Sequence, residues 1–440
     1  MHIAMVSLQF EETSTGGGGV HVEKICEQFL KSGHSVTLVS IHTERTLGRA
    51  KLEEGDVPLS IQRRGRLTVV RFLIDENISQ PYVGEKDVEL DRIERFARAA
   101  IEWLKKREEK FDIIHLHGHH IIPGLMAREL QGTGTKIVST VHSLESTFIA
   151  QSGESLGSFN ATEEILIKLR KWEGLSRFAD LIVLNSPAVG DDFKEILRGQ
   201  DIDVEKFAGR IRLISSGCNE DFLMGNEEIK QKLSRVPKTI RLVTFCRIDL
   251  SKGIEFSING AKVAAGLCPR NLYLTIAGIP SSDEYLNKVR GALENVPANL
   301  QTELKVFRAI SSAEEKKALL DPMHIYILPT LKEPFGMSLI EASARGNMIV
   351  STDSTGPRFM MAAEGDRSFD WGSVTQYGIL TDITEDHHKN LADNMGKAIV
   401  WTIDNWHACK KKVLKFNKRI REKWTWEGIA RQYLELFMSR

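Results

Sequence analysis

Short runs of apolar, β-branched residues alternate with amphipathic segments along the whole chain. This rhythm limits the fold more than any single residue does. In the first half the runs are HIAMVSL (2–8), SVTLVSI (35–41), TVVRFLI (68–74), DIIHLHG (112–118), KIVSTVH (136–142) and LIVLNS (181–186), closed by IRLISSG (211–217). Most are apolar nearly throughout, as strands covered on both faces must be. Strands separated by helical segments build βαβ units around a parallel sheet. After a polar stretch, 225–239, the rhythm restarts with RLVTFCR (241–247), LYLTIAG (272–278), ELKVFRA (303–309), HIYILPT (324–330), NMIVSTD (347–353) and GILTD (378–382), then turns helical to the end. A chain of 440 residues is too long for one core. The expectation is therefore an α/β protein of two doubly wound, Rossmann-like domains, residues 1–217 and 238–424, with the carboxyl ends of both sheets on a shared central cleft.

Composition excludes several classes of function. Lys+Arg and Asp+Glu both number 59, so no overall field points to nucleic acid. The run Lys410-Lys411-Lys412 with Lys415 reads as a solvated helix face. Five scattered cysteines without a C-x-x-C argue against a disulfide framework or a zinc site and for a reducing, cytoplasmic setting. The N-terminus enters a strand directly, with no signal-peptide pattern, and no apolar stretch is long enough for a transmembrane segment. A monomer and a homodimer are both compatible with the sequence.

The most specific chemistry lies in Glu333-Pro-Phe-Gly-Met-Ser-Leu-Ile-Glu341. It follows the strand-like HIYILPT and runs into MSLIEASARG, a helical pattern ending on Gly346. At a strand–turn–helix junction the N–H groups of Gly336, Met337 and Ser338 point outward at a ready anion site. Glu341, one turn into the helix, is placed to hold a diol. This stretch resembles the E-x-F-G-x-x-x-x-E signature of the family-four retaining glycosyltransferases with the GT-B fold.

Other stretches carry the same resemblance. TGGGGVHV (15–22), between the first strand and a helix ending in Gly33-His34, lets backbone N–H groups approach a phosphate without a Cβ in the way. It is similar to the family's glycine stretch and implies a diphosphate beside Gly17, Gly18 and Gly19. It is not a G-x-G-x-x-G, and Ser40 and Ile41 supply no acidic ribose partner after the second strand. Arg247 and Lys252, two cations across a βα loop, suit a leaving diphosphate whose charge grows as its bond breaks. They resemble the family's G-R-x-x-x-x-K-G, with Cys246 where glycine is usual. His142 ends KIVSTVH and resembles the family's T-x-H-[DST], whose histidine reaches the transferred sugar. HLHGHH (His115, His117, His119, His120) has metal-like spacing, yet it matches the family's metal-free D-[IV]-[IV]-H-x-H strand. Val306-Phe307-Arg308-Ala309 falls on the loop that edges the nucleobase, and Ser215 to Asn219 on the linker. Asp201-Ile202-Asp203 reads as a loop.

The resemblance implies a hexosyltransferase, retaining and metal-independent. It would use a nucleoside-diphosphate sugar (UDP or GDP sugar) and a hydroxyl acceptor such as a small sugar, cyclitol or glycan. The acceptor would sit in the first domain, completed by the terminal helix 425–440, and the donor in the second. Arg247, Lys252 and the helix after Gly336 would steady the diphosphate, with Phe335, Met337, Ser338 and Arg308 around the nucleotide. Glu333 would hold donor hydroxyls, Glu341 the ribose, and His142 the sugar near its reacting carbon. A nucleotide-sugar epimerase, a phosphorylase or a catalytically silent sugar-nucleotide-binding protein would share this fold. A lysine-anchored pyridoxal phosphate would mark the phosphorylase.

Overall fold

The computed structural model describes the chain except residues 15, 49, 83, 119–120, 152–160, 308–311, 364, 384–389 and 440. The described residues form two compact units, 1–216 with 429–440, and 217–428.

The first unit is built on one sheet of eight strands: β1 (His2–Val6), β2 (Ser35–Ile41), β3 (Leu59–Arg64), β4 (Leu67–Phe72), β5 (Ile113–Gly118), β6 (Lys136–Val141), β7 (Leu181–Leu184) and β8 (Ile211–Leu213). Their order is β3-β4-β2-β1-β5-β6-β7-β8, parallel except for the β3–β4 hairpin at one edge. The order reverses at β1, which has β2 on one side and β5 on the other, so the carboxyl ends of β1 and β5 flank a switch point. Helices cover the sheet with the faces their sequences prescribe. Gly17–Lys31 buries Val22, Ile25, Cys26 and Phe29, and Lys86–Lys106 buries Leu90, Ile93, Phe96, Ala97, Ala100, Ile101 and Leu104, both at helical spacing. The last helix, Trp426–Met438, contributes Tyr433 and Phe437 to this unit. Tyr433 is fully buried, and Lys136 Nζ donates to the carbonyls of Leu436 and Phe437.

The second unit repeats the plan with β9 (Thr239–Phe245), β10 (Asn271–Gly278), β11 (Leu300–Val306), β12 (Ile325–Leu328), β13 (Met348–Thr352), β14 (Arg367–Phe369), β15 (Gly372–Val374) and β16 (Ile379–Thr381). The order is β11-β10-β9-β12-β13-β16-β15-β14, parallel except that β15 runs antiparallel to its neighbours β16 and β14. Here the switch point lies between β9 and β12, which pair through Leu242 and Val243.

Three strands escape the sequence reading: β3, β14 and β15. All lie at or next to a sheet edge, and β3 (LSIQRR) is half-buried to exposed, so no apolar run announces them. Several boundaries also move inward. LIVLNS yields a strand only to Leu184, because Ser186 caps the following helix Pro187–Arg198 by accepting from Val189 N–H.

Candidate functional site

In the second unit the motif residues come from two adjacent loops at the switch point. Past β9 the chain makes a tight turn, Leu250–Lys252, capped by the Asp249 carboxylate on Ser251 N–H. Gly253 then takes a left-handed conformation (φ 58°), and a Cβ there would lie 2.7 Å from Pro329 O. This glycine lets the loop after β9 press against the loop after β12, and Thr330 Oγ1 donating to Ser251 O (3.3 Å) pins the two. The result is an ion pair that spacing alone does not announce: Lys252 Nζ lies 2.7 Å from Glu333 Oε2, with 17% and 14% of the side chains exposed. Burial works to lower the Lys252 ammonium, but Glu333 outweighs both burial and the repulsion from Arg247 and holds it above its ordinary value.

Glu333 is held at both ends. Its carbonyl accepts from Gly356 N–H (2.7 Å) and from Thr355 Oγ1 (2.8 Å), so its backbone cannot swing. Gly336 caps the helix Met337–Ala344 in left-handed backbone (φ 103°). Ser338 Oγ lies 2.7 Å from the Tyr326 hydroxyl, which sits 2.9 Å from Phe245 O, tying the helix to β9 and β12. Phe335 is buried and meets Trp424 edge-on, so its ring serves packing. Glu341 does not lie unpaired: Lys316 Nζ is 2.5 Å from its Oε1. Arg247 is half exposed and 3.4 Å from Asp249. Although burial works to raise the Asp249 carboxyl, Arg247, Ser251 and Lys252 hold it below the usual range. Cys246, at a position where the resemblance implies a glycine, is accommodated from the other side. A Cβ on Gly278 would meet Cys246 O at 1.7 Å, so β10 supplies the missing room. Arg308 lies outside the described residues.

In the first unit the glycine run is not a loop before the helix, as the sequence reading had it. Gly17, Gly18 and Gly19 are the helix's own first turn, with Gly16 as N-cap. Helical hydrogen bonding starts at Val20 N–H, donated to Gly16 O, so the glycine N–H groups are those an α-helix leaves without intrahelical partners. His142 follows β6 beside this turn, its Cδ2 4.0 Å from where a Gly18 Cβ would stand.

His142 belongs to a buried cluster that sequence reasoning only half found. Its Nε2 is 3.3 Å from His117 Nδ1, with the rings stacked. His21 packs edge-on against His142 at 4.7 Å between centroids. Hydrogen bonds continue from His21 to Ser216 Oγ and to the Tyr433 hydroxyl, and from Tyr433 through Thr140 Oγ1 to His115 Nε2. Burial first, then mutual repulsion, lowers His21, His117 and His115, the last to about 3. Neutral imidazoles are what such an enclosed group can hold. Positions 21, 115, 142 and 433 meet only because β1, β5 and β6 are neighbours and the terminal helix lies against them. Only the adjacency of His21 to the glycine run was readable beforehand.

Asp203 accepts from Glu205 N–H in an exposed turn. Among the described residues no set of three or more His, Cys, Asp or Glu side chains is arranged to hold a metal ion, and no helix is long and apolar enough to cross a membrane.

Two family models match the chain: Glycosyltransferase Family 4 over residues 15–219 and Glycosyl transferases group 1 over 225–369. The D-inositol 3-phosphate glycosyltransferase of Corynebacterium urealyticum is 24% identical over 100% of this chain and 96% of its own length. Among solved structures, sucrose-phosphate synthase from Thermosynechococcus elongatus superposes with a TM-score of 0.71 at 18% identity, covering 99% of this chain and 98% of that one. The E. coli structure titled "Trehalose-6-phosphate … bound with UDP-2-fluoro glucose" gives 0.64 at 12% identity, covering 99% of each chain.

Proposed function

Because this chain belongs to the family-four, group 1 glycosyltransferases with the GT-B fold, we propose that it is a retaining, metal-independent hexosyltransferase working from a nucleoside-diphosphate sugar. The observation that carries the reading is the Lys252–Glu333 pair, brought together at the switch point of the second sheet beside the helix that opens at Met337. An ammonium and a helix N-terminus next to a carboxylate suit a ligand whose diphosphate is anionic and whose sugar gains positive charge.

In this reading the second unit holds the donor. Lys252, Arg247 and the N–H groups of Gly336, Met337 and Ser338 meet the diphosphate; in the first unit the N–H groups of Gly17, Gly18 and Gly19 are suited to phosphate as well. Glu333 accepts from donor-sugar hydroxyls, Glu341 from the ribose diol, and Arg308 edges the base. His142 contacts the sugar near its anomeric carbon. The first unit holds the acceptor, a small sugar, cyclitol or glycan hydroxyl. The bond from the anomeric carbon to the diphosphate breaks while the acceptor oxygen bonds to the same face. The acceptor's proton passes to the leaving phosphate oxygen, so configuration is retained. A uridine nucleotide is the first choice, since a neighbour of this fold is bound with UDP-2-fluoro glucose; GDP is the alternative. Five cysteines with no disulfide support a reducing cytoplasm.

The test is a thermal-shift panel of UDP, GDP and ADP sugars, followed by product mass and anomeric configuration on a mixed acceptor pool. One nucleotide sugar should raise the melting temperature and yield a retained glycoside. No shift and no product with any donor would sink the reading; an inverted product would sink its stereochemistry.

A further inference from the structure

We propose that Lys316 is a positioning residue for the donor nucleotide, acting through Glu341 to hold that carboxylate aimed at the ribose. The inference rests on the donor reading above. Lys316 lies in the helix Ala313–Leu320, whose first turn is fixed by a reciprocal cap. Glu315 N–H donates to Ser312 Oγ (3.1 Å), and Ser312 N–H donates to the Glu315 carboxylate (2.7 Å). This fixes where the lysine stem leaves the helix. Its Nζ reaches Glu341 Oε1 at 2.5 Å, with only 14% and 13% of the two side chains exposed.

An enclosed carboxylate has lost most of its hydration, so a bare Glu341 would lack a fixed partner and could turn away from the ribose hydroxyls. A bare carboxylate would also repel an incoming diphosphate. One ammonium removes both obstacles and occupies one of about four acceptor positions on the carboxylate, leaving room for two ribose hydroxyls. Lys252 does for Glu333 what Lys316 does for Glu341, so each glutamate of the motif has a lysine delivered from a different element, the turn Leu250–Lys252 and the helix Ala313–Leu320.

The experiment is calorimetric titration of the full-length protein with UDP, GDP and ADP. The proteins are wild type, Lys316→Met, Lys316→Arg, Glu341→Gln and the Lys316→Met/Glu341→Gln double variant, each checked by thermal melt. For the tightest of the three nucleotides, Lys316→Met should weaken binding about tenfold to a hundredfold. Lys316→Arg, which keeps the charge, should stay within about threefold. In the Glu341→Gln background Lys316→Met should change binding by less than about twofold, because its route of action is already gone. Should Lys316→Met fold poorly, Lys316→Gln carries the comparison, keeping a hydrogen-bond donor but no charge, and should still lose about tenfold. Wild-type affinity in Lys316→Met (or in Lys316→Gln where that variant replaces it), or fully additive losses in the double variant, overturns the inference and leaves the donor reading standing. If Glu341→Gln binds as tightly as wild type, the ribose assignment falls and takes this inference with it.

Discussion

At the scale of the residue, the two donor cations should fail in different ways. Arg247→Ala and Lys252→Ala should each lower kcat roughly a hundredfold, the loss expected for one contact to a leaving group. Their effects on folding should differ. Arg247 is half exposed and its removal leaves the melt unchanged, whereas Lys252→Ala strands a nearly enclosed Glu333 and should cost about 1–3 kcal/mol of stability. Paired turnover and urea-melt measurements check both halves, and near-normal turnover in either variant would remove that cation from the machinery. The two glutamates divide similarly. Glu333→Gln should mainly depress kcat, because hydrogen bonds to a sugar gaining positive charge matter most in the transition state. Glu341→Gln should mainly raise the donor KM. If the two variants show the same pattern, they do not have separate roles.

At the scale of the element, the switch point explains why these residues act together. In each sheet the loops after two central strands open side by side: β1 with β5 in the first, β9 with β12 in the second. The histidine cluster shows the energetic consequence. His21, His115 and His117 are lowered in the folded protein, whereas in the unfolded chain they titrate near 6.5. Below about pH 6.5 the unfolded chain therefore takes up protons that the folded one refuses. Stability should be full above that pH and fall as the pH drops below it, for His115 until about pH 3. Each such histidine contributes up to about 1.4 kcal/mol per pH unit. Urea melts from pH 7.5 to 4.5 should show the decline, and His115→Leu should make it shallower by up to that amount. An unchanged slope would mean His115 charges in the folded state.

At the scale of the whole molecule, the proposed chemistry predicts indifference to chelators. In the proposed reading Arg247, Lys252 and the N-terminus of the helix Met337–Ala344 would meet the diphosphate, so turnover should be the same with EDTA and with added magnesium or manganese. Loss with EDTA that readdition restores would contradict this. Much of the fold was legible because buried parallel strands must be apolar on both faces, so β1, β2, β4 to β13 and β16 stood out as runs. The strands β3, β14 and β15, at or next to a sheet edge, did not: β3 is half-buried to exposed, and β14 and β15 are three residues each and only partly buried. Candidate site residues stood out where a motif sits on a strand–turn–helix junction, since spacing and local geometry agree there. What the sequence by itself determined, then, is the two-sheet α/β plan and the positions of Arg247, Lys252, Glu333, Glu341 and His142. Only the tertiary structure decided their partners: Glu333 with Lys252, Glu341 with Lys316, and His142 with His117 and His21. Those pairings depend on which strands lie next to each other, and strand order comes from packing the whole sheet, which no local pattern encodes.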